Sequence, residues 1–108
     1  MPNGDDKNLV RLAICIAVYH ARFGAWPTHA RFEAGYLWSI AHIVGPFGFE
    51  RLADHMELRT ERRSDDEGGI SVGGREGVQR YELVDHDRVP EESLHETWDW
   101  LRLDRDEF

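Results

Sequence analysis

An apolar run near the start of the chain, residues 9–23, constrains the fold more than any other feature of the sequence. Its larger side chains recur at helical spacing, and small apolar residues fill the other sides of the same helix. The stripe consists of Leu9, Leu12, Ile16, Tyr19 and Phe23. A helix that is apolar on most sides needs cover from other elements, so we predict a central, largely buried helix that stops at Gly24.

The composition limits the class of protein. With 108 residues, of which 41% are hydrophobic, the chain has the size of one domain and enough apolar material for a core. We predict a single domain over residues 8–108 after a disordered lead, residues 1–7. The single cysteine, Cys15, excludes an internal disulfide and favours a reducing, cytoplasmic location. The apolar run contains Arg11 and is too short to cross a bilayer, so we predict no membrane partner.

Two further helical patterns are separated by Gly45-Pro46, a dipeptide that ends helices. The first predicts a helix that Gly35 could divide, from the spacing of Phe32, Tyr36, Ile40 and Ile43. The second predicts a helix over residues 47–57, from the spacing of Phe49, Leu52, Ala53 and Met56. Apolar and polar residues also alternate from Met56 onward, so a strand beginning near Met56 stays open as an alternative.

The last third of the chain predicts a β-hairpin followed by a closing helix. Two alternating segments, residues 70–72 and 78–84, flank a glycine-rich stretch that permits the positive φ of a tight connection. Pro90 is well placed in the first turn of the closing helix. Trp100 points away from the apolar face of that helix and is predicted to be exposed. The other tryptophans are predicted to pack in the core: Trp26, Trp38 and Trp98.

The order of three helices, a hairpin with a glycine-rich tip and a closing helix resembles the winged helix-turn-helix family. The helix–turn–helix run of residues 27–57 and the wing-like hairpin of residues 70–84 carry the resemblance, which covers residues 8–103. It implies an α+β, winged-helix-like fold with three N-terminal helices, a β-hairpin wing and a C-terminal helix. It also implies a DNA-binding transcriptional regulator whose recognition helix is the one over residues 47–57.

The resemblance further implies which residues would meet DNA and a second subunit. Groove contacts would come from Arg51, His55, Arg59, Arg62 and Arg63, and wing contacts from Arg75 and Arg80. The closing helix would form the interface of a homodimer through Leu94, Trp98, Trp100 and Leu101. A purely structural subunit that uses the same closing helix is a further possibility that stays open.

Charge is divided unevenly along the chain. Residues 1–64 carry eight Lys or Arg against seven Asp or Glu, whereas residues 65–108 carry five against fourteen. This acidic balance excludes general coating of nucleic acid, because phosphates repel such a molecule unless its cations are concentrated on one face. On the predicted recognition helix the basic side chains fall on a different face from the carboxylates, so a narrow cationic strip is predicted.

The acidic half supports an alternative function of a different class. Carboxylates on the closing helix could present a nucleic-acid-like surface to a basic groove through Glu91, Glu92, Glu96 and Asp99. In size and charge the chain is similar to small acidic phage proteins that block host nucleases. The alternative is therefore an acidic protein-binding inhibitor or adaptor, a nucleic-acid mimic that acts on a nucleic-acid-handling partner.

Motifs for catalysis, metals and cofactors are missing from the sequence. The six histidines form no His-x-x-x-His pair, and Cys15 is the single cysteine, so no metal site is predicted. Asp85-His86-Asp87 has acid–base residue types, but adjacent side chains in a linker diverge and no nucleophile is identifiable. We predict a binding protein without cofactor or metal, and not an enzyme.

Overall fold

Residues 6–61 and 69–103 are described by the computed structural model, and they form the α+β fold that the sequence predicts. The elements are α1 (Asp6–Phe23), β1 (His29–Glu33), α2 (Ala34–His55), β2 (Glu57–Glu61), β3 (Ile70–Gly73), β4 (Val78–Arg80), α3 (Asp85–Arg88) and α4 (Glu91–Leu101). The strands form one mixed sheet in the order β2-β1-β3-β4. β1 runs parallel to β2 and antiparallel to β3, and β3 runs antiparallel to β4.

α1 is the buried central helix that the apolar run predicts. Leu12, Ile16 and Tyr19 have no exposed surface, and α1 contacts β3, β4, α2 and α4. Burial of side chains of this size stabilises a fold by about 2 kcal/mol each, so α1 organises the core. The helix ends at Phe23, and Gly24 follows with a φ of 71°, a conformation that a residue without a Cβ adopts without strain.

The first strand replaces part of a predicted helix. The sequence spacing places Phe32 in a helix, and this is wrong because Phe32 lies in β1. Ala30 and Phe32 are buried, whereas Arg31 between them is exposed, which is the period of a strand with one buried face. Pairing with β2 on one edge and β3 on the other satisfies the backbone of β1 and overrides the local helical pattern.

α2 is broken at the dipeptide that predicts a break. Gly45 has a φ of 72° and a ψ of 178°, and Pro46 then starts a second helical segment at a position where a missing N–H costs little. This segment ends at His55, before the predicted end at residue 57, and Met56 is extended. The alternative of a strand near Met56 is thereby confirmed as β2.

The predicted hairpin is confirmed as β3 and β4, but its second strand ends at Arg80 and not at residue 84. One more hydrogen bond, from the Tyr81 N–H to the Ile70 carbonyl at 3.0 Å, closes the ladder. The chain then turns into α3 through backbone hydrogen bonds such as that from the Asp85 N–H to the Glu82 carbonyl, and the Tyr81 hydroxyl bonds to Nε2 of His86.

The three long helices lie on one face of the sheet. Phe32 and Val72 project from β1 and β3 into the same core as α1, and α4 packs on α1 and α2. The opposite face is open in the described part of the chain, because His29, Arg31, Glu57, Arg59, Val78 and Arg80 on that face are half-buried or exposed. Among residues 6–61 and 69–103, the sheet therefore has one face covered by helices and one face without a covering layer.

Candidate anion-binding face of the sheet

One row of side chains crosses the open face of the sheet and contains three arginines. Arg59 of β2 pairs with Arg31 of β1, and Arg80 of β4 pairs with Ser71 of β3. Ser71 in turn pairs with Arg31, so the row is continuous across all four strands. Directly paired residues point to the same face. Since neighbouring strands lie about 4.8 Å apart, the row extends about 14 Å.

The alternation of the strands places these arginines outside the core. Val72, next to Ser71 in the chain, points to the other face and is buried. Arg31, Arg59 and Arg80 are exposed, whereas the small Ser71 side chain between them is 3% exposed. The three guanidinium groups are therefore the outermost groups of the row, where an anion in solution can reach them.

His29 lies beside this row and responds to its charge. A Cβ at Gly73 would come within 2.7 Å of its Nε2, so the imidazole ring lies directly over the glycine on the open face. The pKa of His29 is lowered, first because burial disfavours the charged ring and then because Arg59 and Arg31 repel a further positive charge. The positive charge of the arginines thus acts on His29. An anion bound to the arginines would screen this charge and so favour protonation of the His29 ring.

Carboxylates also lie on this face and compete for the arginines. Arg59 donates a hydrogen bond to the Glu57 carboxylate at 2.8 Å, which lowers the pKa of Glu57 and raises that of Arg59. Both side chains are exposed, and exposed ion pairs are readily exchanged for other partners. Arg31 and Arg80 also have interactions within the chain. An incoming anion would therefore have to replace the present partners of these arginines.

The predicted groove residues do not form one strip. Arg51 and His55 belong to α2, and Arg51 donates a hydrogen bond to the backbone carbonyl of Arg102 at 3.0 Å. The His55 ring meets the Trp100 ring edge-on, with the centroids 4.8 Å apart. These two residues face α4, whereas Arg59 lies on the open face of the sheet. Two further predicted groove residues, Arg62 and Arg63, lie outside the described residues.

The hairpin tip is tied to the end of α1. The Tyr19 hydroxyl donates to the Glu76 carboxylate at 3.2 Å, and burial, followed by Glu76, raises the pKa of Tyr19. A Cβ at Gly77 would lie 2.8 Å from the Phe23 ring, so the tip packs directly on that ring. Arg75, the predicted wing contact, is exposed at the tip beside Glu76.

The predicted dimer residues of α4 are mostly covered within the subunit. Trp98 and Leu101 are 8% and 0% exposed, and Leu94 is half-buried. The prediction that Trp100 is exposed is wrong, because its ring stacks on Trp26 with the centroids 4.7 Å apart. Together with the neighbouring rings it forms what we call the ring stack, which consists of His20, Trp26, Trp100 and His55.

The carboxylates predicted to mimic nucleic acid are exposed on α4. Glu92, Glu96 and Asp99 recur at i, i+4 and i+7, so they form one acidic stripe along the helix, with Glu91 in its first turn. No ion pair involves these four carboxylates among residues 6–61 and 69–103. The structure thus places the acidic surface on the helical layer and the arginine row on the sheet.

The sequence did not identify Arg31 or His29 as site residues. The sequence pattern placed both in the first turn of a helix that Thr28 could cap, and a basic residue there does not indicate a binding site. The available signal was the short alternation from His29 to Glu33, but five residues of that pattern are too few to distinguish a strand from a turn.

No protein-family model, curated protein or solved structure matches the chain. Within the described part of the chain, no group of three or more His, Cys, Asp or Glu side chains could hold a metal ion. Among the same residues, no helix is long and apolar enough to cross a membrane.

Proposed function

We propose that the protein is a DNA-binding module without catalytic activity, which holds the phosphate backbone on the open face of its sheet. The observation that carries this proposal is the row of Arg59, Arg31 and Arg80 across the four strands. Guanidinium groups form bidentate hydrogen bonds with phosphate oxygens and stay charged throughout the physiological pH range. A row of about 14 Å can contact several phosphates, since each strand of a duplex carries one about every 3.4 Å of its axis.

The open face favours contacts with phosphate over contacts with bases. Its described side chains include no Phe, Tyr or Trp on which a base could stack. Binding through phosphates alone is independent of sequence and strongly dependent on salt. With a net charge of −8 on the whole chain, attraction is restricted to this face, and we expect a dissociation constant of about 10⁻⁴ to 10⁻⁶ M.

A regulatory role and a winged-helix relationship stay predictions within this proposal. The order of α1, the broken α2, the hairpin and α4 supports the relationship. The resemblance depends on an order of helices and one hairpin. The parallel pair of β1 and β2 is not part of that order and is an additional feature of this fold. The phosphate contacts proposed here use the sheet and the hairpin tip, and they need no recognition helix in the major groove.

The test compares two variants that change net charge equally. The first replaces Arg31, Arg59 and Arg80 with Gln, and the matched control replaces Lys7, Arg22 and Arg88, which are also exposed but lie on α1 and α3. Binding to a labelled random-sequence duplex is followed by fluorescence anisotropy over a range of salt concentrations. The association constant falls with rising salt, so a plot of log K against log salt has a negative slope. In the row variant this slope should become less steep by about 2.7, or about 0.9 for each lost phosphate contact.

Two results would contradict the proposal. One is the absence of any salt-sensitive association of the wild-type chain with duplex DNA at low ionic strength. The other is an equal loss of affinity in both variants, since that would reflect net charge and not the position of the arginines. Arg51→Gln provides a third comparison, because it removes a predicted groove residue and leaves the sheet intact; it should bind as the wild type does.

A second candidate function is favoured by the acidic stripe of α4. We propose as the alternative that Glu92, Glu96 and Asp99 bind the basic groove of a nucleic-acid-handling protein and so block it. The support is their exposure on one helical face and the lack of an ion pair holding them among the described residues. This arrangement leaves their charge available for a cationic partner.

The alternative has a separate assay. Cleavage of DNA by a panel of purified nucleases is measured with increasing amounts of the chain. Inhibition that persists in the arginine-row variant and is lost when Glu92, Glu96 and Asp99 become Gln would support the inhibitor function. Equal inhibition by the glutamine variant, or no inhibition of any nuclease, would exclude this surface.

A further inference from the structure

β2 is an edge of the sheet, and no strand lies on its outer side among residues 6–61 and 69–103. The other edge, β4, has only three residues, and the Gln79 side-chain amide donates to the Arg80 carbonyl at 2.9 Å. β2 is longer, with five residues. An edge strand of this length presents a row of backbone groups that can pair with one more strand.

The direction of one hydrogen bond shows which backbone groups of β2 point outward. The Glu57 N–H donates to the carbonyl of Thr28, directly before β1, at 2.9 Å. The C=O of a trans peptide points away from its N–H, and this direction alternates along a strand. The carbonyl of Met56 and both backbone groups of Leu58 and Thr60 therefore point away from β1, toward the outer side of the sheet.

We infer that β2 pairs antiparallel with β2 of a second copy, about a two-fold axis at Leu58. The two Leu58 residues then exchange both of their outward hydrogen bonds. Each Thr60 N–H donates to the carbonyl of the partner's Met56, one residue before the strand. The two four-stranded sheets become one continuous sheet. This dimer goes beyond DNA binding and does not depend on it.

Charge selects the register of this pairing. Glu57 and Arg59 lie on either side of Leu58, and both side chains are exposed. With the axis at Leu58, each Glu57 lies opposite the partner's Arg59, which gives two cross-strand pairs of opposite charge. An axis at Arg59 would place two arginines directly opposite each other, which is destabilising. An axis at Thr60 would use residues beyond the end of β2.

The same charges favour a second copy over other extended chains. Charged residues on an edge strand commonly prevent pairing, because they repel the like charges of a neighbouring strand. In β2 the sign changes from Glu57 to Arg59, so the strand is complementary to itself in the antiparallel direction. A segment with one sign of charge would be repelled by one of these two residues. Since two strands bury little area, we expect a weak dimer with a dissociation constant of about 10 µM to 1 mM.

The inferred dimer differs from the one that the closing helix predicts. Trp98 and Leu101 of α4 are already buried in the subunit, so α4 has little apolar surface left for a partner. The outward backbone groups of β2 belong to the edge of the sheet and are separate from the core. Substitutions of its exposed side chains should therefore change association without disturbing the fold.

The test measures the mass of the full-length chain by sedimentation equilibrium without DNA, where the monomer has 12.6 kDa. The wild type should approach twice that mass at about 1 mM. Glu57→Arg and Arg59→Glu each place like charges in both cross-strand pairs, so each should raise the dissociation constant at least about tenfold. A mixture of the two variants should restore dimers, because every cross-strand pair is then opposite in charge. The double variant, which keeps the net charge of the wild type, should also dimerise.

A second pair of variants tests the backbone contacts. Thr60→Pro removes an outward N–H and no hydrogen bond to β1, so it should raise the dissociation constant at least about tenfold. Thr60→Ala keeps that N–H and should dimerise as the wild type does. Trp38→Ala is the control for exposed apolar surface. Trp38 is 70% exposed on α2, so the prediction that it packs in the core is wrong, and its loss should leave the dimer unchanged.

Several outcomes would overturn the inference. These are a wild type that stays monomeric at about 1 mM, single charge variants that dimerise as tightly as the wild type, or a mixture that stays monomeric. Dimers that are lost in Trp38→Ala would assign the contact to α2 instead. Circular dichroism of each variant checks that a loss of mass is not caused by unfolding. Because no DNA is present, failure here is distinguishable from failure of the proposed DNA binding.

Discussion

Trp26→Ala should destabilise the protein far more than the same substitution at Trp38. In the ring stack, Trp26 lies between His20, with the ring centroids 3.8 Å apart, and Trp100, with the centroids 4.7 Å apart. Each such contact contributes about 0.5–1.5 kcal/mol beyond burial, and the half-buried ring adds about 1–2 kcal/mol of its own. We expect a loss of about 3 kcal/mol at Trp26 and less than about 0.5 kcal/mol at the exposed Trp38.

The assay is urea unfolding at protein concentrations at which the wild type is monomeric, so that association does not contribute to the free energy of unfolding. A loss of about 3 kcal/mol corresponds to a melting temperature lower by roughly 12–20 °C in a domain of this size. A double-mutant cycle of Trp26→Ala and Trp100→Ala should give a coupling energy of about 0.5–1.5 kcal/mol.

The expected stability comes from ring stacking, and not from tryptophan as a residue type. Trp26→Phe should recover part of the stability, because a smaller ring can still stack on both neighbours. Equal losses at Trp26 and Trp38, or a coupling energy near zero, would refute the stack as a source of stability. A large loss at Trp38 alone would show that the exposed ring is packed in solution.

Three further perturbations have expected directions. Glu57→Gln should tighten DNA binding about threefold in anisotropy titrations, since it removes a negative charge beside Arg59; weaker binding would show that Glu57 positions Arg59. The lowered pKa of His29 means that a neutral ring stabilises the fold above pH 6.5, a contribution lost as the pH falls through the folded-state pKa. DNA should raise that pKa, so its affinity should increase below pH 6.5, and His29→Asn should remove this increase. Gly77→Ala should cost about 1–3 kcal/mol in urea unfolding, because Gly77 has a φ of 158° and no room beside Phe23, and an unchanged stability would mean that the tip moves freely.

Local patterns predicted the elements that depend on local causes. α1 follows from one long apolar stripe, and the break in α2 follows from Gly45-Pro46, whose backbone preferences act wherever the dipeptide stands. The hairpin follows from alternation around glycines. In each case the determining residues are neighbours in the chain, so the sequence contains the necessary information.

The arginine row could not be predicted in this way, because it is a product of register. Arg31, Arg59 and Arg80 are neighbours only because β1 pairs with β2 on one edge and with β3 on the other. The identity of β1 as a strand depends on that pairing, and its five residues compete with a helical pattern that starts at Phe32. Arg59 and Arg80 were predicted as DNA contacts from the winged-helix resemblance. Arg31, which lies in the same row, was not predicted.

The position of Trp38 was mispredicted for a related reason. Apolar residues occur on several sides of the first half of α2, so periodicity alone does not tell which side is buried. The contacts with α1 and the sheet cover Ile40 and Val44, and Trp38 is left on the opposite side. Only the tertiary arrangement distinguishes a core ring from an exposed one on such a helix.

The separation of charge between the two layers predicts how an acidic protein can still approach DNA. α4 packs on α1, and α1 packs on β3 and β4, so the acidic stripe and the arginine row lie on opposite sides of the sheet, at least about 10 Å apart, the spacing of packed layers. The Debye length is about 8 Å at physiological salt but about 30 Å at 0.01 M. Replacing Glu92, Glu96 and Asp99 with Gln should therefore strengthen DNA binding at 0.01 M and leave it nearly unchanged at 0.15 M. An equal gain at both salt concentrations would mean that α4 lies next to the bound DNA, and the proposed sheet face would then be the wrong surface.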